Sequence, residues 1–167
     1  PKGEGLSLDG LFLAHRPEPG VPWVLEHWDA DGAYSFCGNG TRAALALPGA
    51  PEGGAIETLS SGERVQLRRE PAGVGLRMPA GPGFGLVPSP LRRPEPQACA
   101  WIGNPQLILE VPDVHAVDFA RFAPPLRHDP AFPTGTNVSI VSLTGPGEAR
   151  IRSWERGVEG ETLCCGT

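Results

Sequence analysis

Glycine and proline divide this sequence into short apolar runs. The 167 residues include 23 glycines and 20 prolines, about a quarter of the chain, which borders on the composition of disordered proteins. Disorder is nevertheless not expected, because 40% of the residues are hydrophobic and four are tryptophan. The glycines and prolines are therefore interpreted as turns between many short strands.

Residues 1–82 are predicted to contain six strands and one short helix. The strands are expected at residues 11–14, 23–28, 33–36, 55–59, 64–68 and 74–78. The apolar run at 11–14 predicts a buried strand, and the turn signal at 29–32 predicts a hairpin between the second and third strands. Residues 41–47 are rich in alanine and leucine and precede Pro48, which predicts a helix that ends there.

Residues 79–96 are dominated by proline and glycine and are interpreted as a linker between two halves. Beyond the linker, strands are expected at residues 98–102, 106–111, 137–143 and 149–154, and a helix is expected at 114–122. Each half therefore combines strands with one helix. This pattern predicts an α+β chain with two domains, residues 1–82 and 83–167.

The charge pattern argues against two classes of partner. The formal net charge is -5 at pH 7, and lysine and arginine nowhere form a block. Nucleic acid and anionic membrane surfaces are therefore not expected to bind. No apolar stretch approaches the roughly 20 residues that cross a bilayer.

The four cysteines are Cys37, Cys99, Cys164 and Cys165. They could form two disulfides, or they could be small buried hydrophobic residues. Adjacent cysteines would rarely bridge each other, and no Cys-x-x-Cys or Cys/His spacing predicts a metal site. Two of the four share a context, because Cys37 and Cys165 are each followed by glycine and a small polar residue.

Cys37 is predicted to lie at the start of a helix. Backbone N–H groups and the helix dipole favour a thiolate there, and the pKa of cysteine can fall from about 8.5 to roughly 3.5–7.5. Gly38 and Gly40 would let a ligand approach the backbone, whose N–H groups suit a carboxylate. Alternatively, Asn39 and Gly40 form only a turn and Cys37 is a buried thiol. The second Cys-Gly motif favours the chemical interpretation.

The two motifs resemble the catalytic cysteine motifs of the diaminopimelate epimerase family, and the resemblance extends from about Gly3 to Thr167. The proline racemases share the fold, but they carry His where this chain has Asn39, so they match less well. The other matching segments are Asp9-Gly10-Leu11, Ala30-Asp31-Gly32, Ile56-Glu57-Thr58, Gly103-Asn104-Pro105, Phe132-Pro133 and Thr136-Asn137-Val138.

The resemblance implies two pseudo-symmetric domains, each with mostly antiparallel strands wrapped around a central helix, and an active site in the cleft between them. Cys37 and Cys165 would be the two acid/base groups that invert an amino-acid α-carbon. No cofactor and no metal would be needed, and both sulfurs would have to be reduced, as in the cytoplasm. The residues that would bind the substrate, diaminopimelate, are Asp29, Gly38, Asn39, Asn104, Asn137, Glu155, Arg156, Gly166 and Thr167.

Departures from the family leave alternatives open. The family usually has Asn where Asp29 stands and His where Gln106 stands, which puts the specificity for diaminopimelate in doubt. The family's opening strand and the helix after its second cysteine are absent, so the chain is expected to be a fragment, truncated at both ends, of a longer protein. The alternatives are a non-catalytic amino-acid-binding or structural homologue, and a racemase of another amino acid. A homodimer remains open.

Overall fold

The computed structural model describes residues 8, 10–16, 18, 23–48, 50, 55–60, 62–78, 85–94, 96–163 and 165 of the chain. The chain falls into two compact units, Pro1–Pro79 and Ala80–Cys165. Within the described residues, each unit contains one sheet and one α-helix. Neither helix in this part of the chain is long and apolar enough to cross a membrane.

The first unit is built on a five-stranded sheet. Its strands, in their order across the sheet, are β1 (Gly10–His15), β2 (Trp23–Asp29), β3 (Ala55–Ser60), β4 (Glu63–Glu70) and β5 (Gly73–Arg77). Neighbouring strands are antiparallel except β2 and β3, which are parallel. Parallel neighbours need a crossover connection. This connection carries helix α1 (Gly38–Ala43) and a 3-10 turn (Ala44–Ala46).

Alternation along β4 gives this sheet a buried face. Val65 and Leu67 are each 1% exposed, whereas Gln66 and Arg68 are exposed. The two-residue period predicted from the sequence is therefore confirmed. Leu45, from the 3-10 turn, packs against Leu67, so the helical connection covers the apolar face of the sheet.

The second unit is built on a six-stranded sheet whose order across the sheet follows the chain. Its strands are β6 (Gly85–Val87), β7 (Gln97–Trp101), β8 (Pro105–Glu110), β9 (Asn137–Gly145), β10 (Glu148–Glu155) and β11 (Gly160–Thr162). Strands β8 and β9 are parallel and the other neighbours are antiparallel. The parallel pair is joined through a 3-10 turn (Val114–Ala116) and helix α2 (Phe119–Arg127).

Helix α2 covers one face of this second sheet. The rings of Phe119 and Trp154 meet edge to face, with their centroids 6.3 Å apart. The guanidinium of Arg152 lies 5.1 Å from the Phe119 ring and donates to the carbonyls of Val114 (2.8 Å) and Val117 (3.0 Å). These contacts fix the start of α2 against β10. The buried core of the unit comprises Cys99, Leu107, Leu109, Val114, Phe119, Ala123, Leu126, Val138 and Ile140.

The helix predicted at residues 114–122 is wrong in its bounds. The chain first forms the short 3-10 turn, where the carboxylate of Asp113 accepts a hydrogen bond from a backbone N–H of the turn. Helix α2 begins only at Phe119 and continues through Pro124 and Pro125. Prolines disfavour a helix interior because each removes a backbone hydrogen bond. Burial of the apolar face of α2 in the core offsets that cost.

Three other predictions are also corrected. Residues 33–36 form no strand, and a single bridge joins Tyr34 to Trp28. Strand β1 forms as predicted but lies at the sheet edge, where Leu11 and Leu13 are 60% and 47% exposed, so its predicted burial is wrong. The region interpreted as a linker contains β6, which pairs with β7. The other predicted strands are confirmed, and β11 is a strand that the sequence pattern did not indicate.

Candidate active site

Cys37 lies at the start of helix α1. Its backbone is extended (φ -125°, ψ 100°), and the helix begins at the next residue. The N–H of Gly40 donates to the Cys37 Sγ at 3.3 Å, and the Cys37 carbonyl accepts from both the N–H (2.9 Å) and the hydroxyl (2.7 Å) of Thr41. The sulfur therefore sits at the positive end of the helix in direct contact with a backbone donor, which favours the thiolate.

Glycine at position 40 leaves room for the Phe12 ring and the Cys37 thiol, which both lie close to its Cα. A Cβ on Gly40 would lie 2.8 Å from the Cε2 of Phe12 and 3.3 Å from the Cys37 Sγ. Gly38 and Asn39 form the first turn of α1, and the side-chain oxygen of Asn39 accepts from the guanidinium of Arg42. The Cys37 thiol is half-buried at this helix start.

The turn that leads to Cys37 is held by carboxylates. Asp29, the last residue of β2, accepts from the Ser35 hydroxyl at 2.9 Å, and the same hydroxyl lies 2.9 Å from the Nδ1 of His27. Asp31 caps the turn, because its Oδ1 accepts from the N–H of Ala33 at 2.9 Å. The Asp29 side chain is only 10% exposed, so its charge is held largely inside the unit.

In the second unit, three of the predicted binding residues come together. The backbone N–H of Arg156 donates to the Oδ1 of Asn137 at 2.7 Å, and its Nη2 donates to the Oδ1 of Asn104 at 3.1 Å. Its Nη1 also donates to the carbonyl of Thr134 at 3.3 Å. This group of two amides and a guanidinium can present both donors and acceptors to a polar ligand.

In the sequence, Glu155 precedes the short strand β11 and Cys165 follows it. Glu155 accepts a hydrogen bond from the hydroxyl of Thr162, and Cys165 follows three residues later, half-buried. The predicted residues Gly166 and Thr167 lie outside the described residues. Cys37, Cys99 and Cys165 are present as thiols, and Cys99 is buried in the core. In the described part of the chain, no three His, Cys, Asp or Glu residues converge as a metal site.

Gln106 is buried at the edge of the same polar group. It stands opposite Asn137 in the β8–β9 register and lines a cavity of about 480 Å³ together with Trp101 and Phe132. Its amide is a hydrogen-bonding group that does not exchange protons near neutral pH. A supporting acid/base role is therefore not available at this position.

An ion pair that sequence patterns did not indicate ties β11 to β10. Glu161 accepts from the Nε and Nη2 of Arg152, each at 2.7 Å. These hydrogen bonds lower the pKa of the Glu161 carboxyl and raise the pKa of the Arg152 guanidinium. A strand of three residues that leads to Cys165 is thereby tied to its neighbour.

Comparison with known proteins gives a consistent result. The sequence profile of the family described as Diaminopimelate epimerase matches residues 98–167. The chain is 34% identical over 178 residues to the diaminopimelate epimerase of Sphingopyxis alaskensis, covering 98% of this chain and 63% of that protein. It is 32% identical over 188 residues to the diaminopimelate epimerase of Methylocella silvestris, covering 98% and 64%. The chain therefore spans somewhat less than two thirds of the length of these curated relatives.

Solved structures match at the level of the fold. A phenazine biosynthesis protein of the PhzF family from Bacillus anthracis superposes with a TM-score of 0.59 at 14% identity, covering 96% of this chain and 62% of that one. A putative phenazine biosynthesis PhzC/PhzF protein from Clostridium difficile gives a TM-score of 0.55 at 14% identity, covering 92% and 60%. At this identity the likeness concerns the fold alone.

Proposed function

We propose that this chain, which belongs to the diaminopimelate epimerase family, serves the cofactor-independent inversion of an amino-acid α-carbon by two cysteines. The observation that carries the proposal is the Cys37 thiol, which caps a helix start and accepts the N–H of Gly40 at 3.3 Å. A thiolate in such a position can act as a base near neutral pH. Cys165, in the second Cys-Gly motif, is the proposed partner.

In the proposed reaction one thiolate removes the α-proton from one face of the substrate. The other cysteine, as a thiol, delivers a proton to the opposite face, and the two sulfurs exchange roles in the reverse direction. Backbone N–H groups at Gly38, Asn39, Gly166 and Thr167 are proposed to bind the α-carboxylate. The first N–H groups of a helix have no acceptor within the helix, so they suit a carboxylate whose negative charge grows in the transition state.

The proposed substrate is diaminopimelate, which carries an ammonium and a carboxylate at each end. Asn104, Asn137 and Arg156 form one hydrogen-bonded group that offers amide oxygens and a guanidinium, and Glu155 offers a carboxylate for an ammonium. The reaction would interconvert the LL and meso isomers in lysine and peptidoglycan precursor synthesis. Both cysteines would have to stay reduced, which fits the cytoplasm.

The test is proton exchange at the α-carbon. The protein is incubated with LL-diaminopimelate in deuterated water, and the product is analysed by mass spectrometry and chiral chromatography. We expect the meso isomer with one deuterium at the inverted carbon, because the donating thiol takes its proton from solvent. Cys37→Ser and Cys165→Ser should each lower the rate by several orders of magnitude, since a hydroxyl is a far weaker acid than a thiol.

Cys99→Ser is the matched control, because Cys99 is buried in the core of the second unit and belongs to neither Cys-Gly motif. It should retain the activity of the unmodified protein after correction for any loss of folded material. Full exchange in either Cys37→Ser or Cys165→Ser would refute the two-thiol mechanism. Exchange with another amino acid but not with diaminopimelate would show a racemase of different specificity. Binding without any exchange would show a non-catalytic homologue.

A further inference from the structure

Before each of the two cysteines, a strand ends in a tryptophan and an acidic residue, and the chain then turns back along that strand. We call the strand and the returning segment a hairpin: β2 with residues 33–35, and β10 with β11. Strand β2 ends in Trp28-Asp29 and strand β10 ends in Trp154-Glu155. Each strand pairs antiparallel with the strand before it in the chain, β1 or β9. A tryptophan followed by an acid at the end of the second strand is therefore repeated in both units.

The chain returns along both hairpins in the same register. After the first turn, Tyr34 bridges to Trp28, and the N–H of Ser35 donates to the carbonyl of His27 at 3.0 Å. After the second turn, Glu161 stands opposite Trp154 and Thr162 stands opposite Ser153. Ser35 and Thr162 therefore occupy equivalent positions, each across from the residue two places before the acid.

The equivalent hydroxyl residues make the same side-chain bond. The Ser35 hydroxyl donates to the Oδ1 of Asp29 at 2.9 Å, and the Thr162 hydroxyl donates to the Oε1 of Glu155. We name each of these bonds a hydroxyl clasp, Asp29–Ser35 in the first unit and Glu155–Thr162 in the second. Each clasp joins the acid to a hydroxyl residue that stands opposite the position two residues before that acid. The cysteine follows this hydroxyl residue by two or three positions.

We propose that Ser35 and Thr162 are positioning residues, each of which places one cysteine through its hydroxyl clasp. Cys37 lies two residues after Ser35 and Cys165 lies three residues after Thr162. Over so few residues, fixing the side chain of one position restricts where the sulfur can lie. The proposal rests on the proposed function for the catalytic role of the cysteines, but the clasps themselves do not depend on it.

The clasp predicts a specific pattern of tolerance. A hydroxyl is required as the donor, so serine and threonine should substitute for each other, whereas alanine at position 35 and valine at position 162 should not. Loss of the donor also leaves each carboxylate without one of its hydrogen bonds, and the side chain of Asp29 is only 10% exposed. The effect should be confined to the cysteine of the same hairpin.

The test measures the reactivity of each cysteine separately. The unmodified protein and its Ser35→Ala, Ser35→Thr, Thr162→Val and Thr162→Ser variants are alkylated with iodoacetamide across a range of pH, and tandem mass spectrometry assigns the label to each sulfur. Ser139→Ala is the matched control. It removes one hydroxyl of the buried Ser139–Ser153 pair, at 2.8 Å, and neither serine belongs to a clasp.

We expect Ser35→Ala to slow alkylation of Cys37 at neutral pH by about threefold or more, the effect of losing one hydrogen bond. The pH midpoint of the Cys37 reaction should rise, because a displaced sulfur would lose the hydrogen bond from the Gly40 N–H, while Cys165 should be unchanged. Thr162→Val should change the alkylation rate of Cys165 by a similar factor and leave Cys37 unchanged. The Ser35→Thr, Thr162→Ser and Ser139→Ala variants should retain both profiles.

Two outcomes would overturn the proposal. The first is that Ser35→Ala and Thr162→Val both leave the pH dependence of cysteine alkylation unchanged. The second is that a variant changes the alkylation of both cysteines equally, as a general loss of stability would. If Ser35→Ala does not fold, the two Thr162 variants decide. Alkylation needs no substrate, so a protein that failed to epimerise diaminopimelate would refute the proposed function and leave this measurement valid.

Discussion

Replacing Gly135 with alanine is expected to break a buried ionic anchor in the second unit. The side chain of Arg127, at the end of α2, is only 7% exposed, and its Nη2 donates to the Oε1 of Glu159 at 2.6 Å. Its Nε has no acceptor among the described residues, so Glu159 is the acid that neutralises it there. A Cβ on Gly135 would lie 1.7 Å from the Arg127 Nη1, so the guanidinium could not keep its place.

The loss of unfolding free energy expected for Gly135→Ala has two parts. Gly135 has φ +70°, a left-handed conformation that costs a residue with a Cβ about 1–2 kcal/mol. Separating a buried ion pair by moving one partner costs about 3–5 kcal/mol when both partners are buried. Glu159 is 43% exposed, so solvent screening lowers that second part to roughly 2–3 kcal/mol. The total expected loss of unfolding free energy is therefore about 3–5 kcal/mol.

Gly147→Ala is the matched control, because Gly147 has φ +75° but a Cβ there would meet nothing within 4 Å. It should cost only the conformational part, about 1–2 kcal/mol. Native-state hydrogen exchange of Val138 and Ile140, which are fully buried on β9, measures the opening free energy of this unit. If Gly135→Ala lost no more stability than Gly147→Ala, the Arg127–Glu159 anchor would contribute nothing and the reasoning would be refuted.

Two further predictions concern charge. The hydrogen bond from Arg152 lowers the pKa of Glu161 below its usual 4.5, so the stabilisation by this pair is present above pH 4.5 and is lost as the pH falls through the pKa of the folded protein. Because the pair is partly exposed, Glu161→Gln should cost at most about 1 kcal/mol of unfolding free energy at pH 7 and nothing in strong acid. Urea midpoints of the variant that equal those of the unmodified protein at pH 7 as well as in acid would refute this prediction. Asp29→Asn should lower the KM for the proposed substrate, diaminopimelate, and change kcat less. The reason is that it removes a negative charge that the family resemblance places near the distal carboxylate, where it would act equally in the ground and transition states. An unchanged KM in steady-state kinetics at fixed pH would contradict this.

Local patterns predicted much of the fold, and contacts between distant residues account for most of what they missed. The period along β4 follows from alternating residue types, so Val65 and Leu67 could be assigned to the buried face from the sequence. Helix α2 could not, because Pro124 and Pro125 indicate a break that burial overrides. Strand β11 has only three residues, too few for a two-residue period to be recognised, and it forms by pairing with β10 in the folded sheet.

The candidate site divides in the same way. Cys37 could be placed at a helix start because glycine, asparagine and an alanine-rich run follow it. That placement is confirmed, but the bounds predicted for the helix, 41–47, are wrong, because α1 spans Gly38–Ala43 and continues as the 3-10 turn Ala44–Ala46. The bond between Arg156 and Asn104 joins residues 52 positions apart, and no pattern of spacing indicates it. The motifs identified the residues that match those of a family. The hydrogen bonds among these residues could be assigned only from the structure, because the sheet brings distant parts of the chain together.

The two hydroxyl clasps change the interpretation of the acid at position 29. From the sequence, Asp29 stands out because the resembling family usually has Asn there, and an acid near a distal carboxylate would be repulsive. In the structure, Asp29 occupies the position in its hairpin that Glu155 occupies in the other, and each accepts from a hydroxyl. An amide oxygen accepts the same bond. Asp29→Asn therefore retains an acceptor for the clasp while it removes the charge that faces the Nδ1 of His27 at 3.6 Å. Alkylation of Cys37 in this variant separates the two causes of a change in KM, because an unchanged Cys37 profile leaves the substrate as the group that senses the charge.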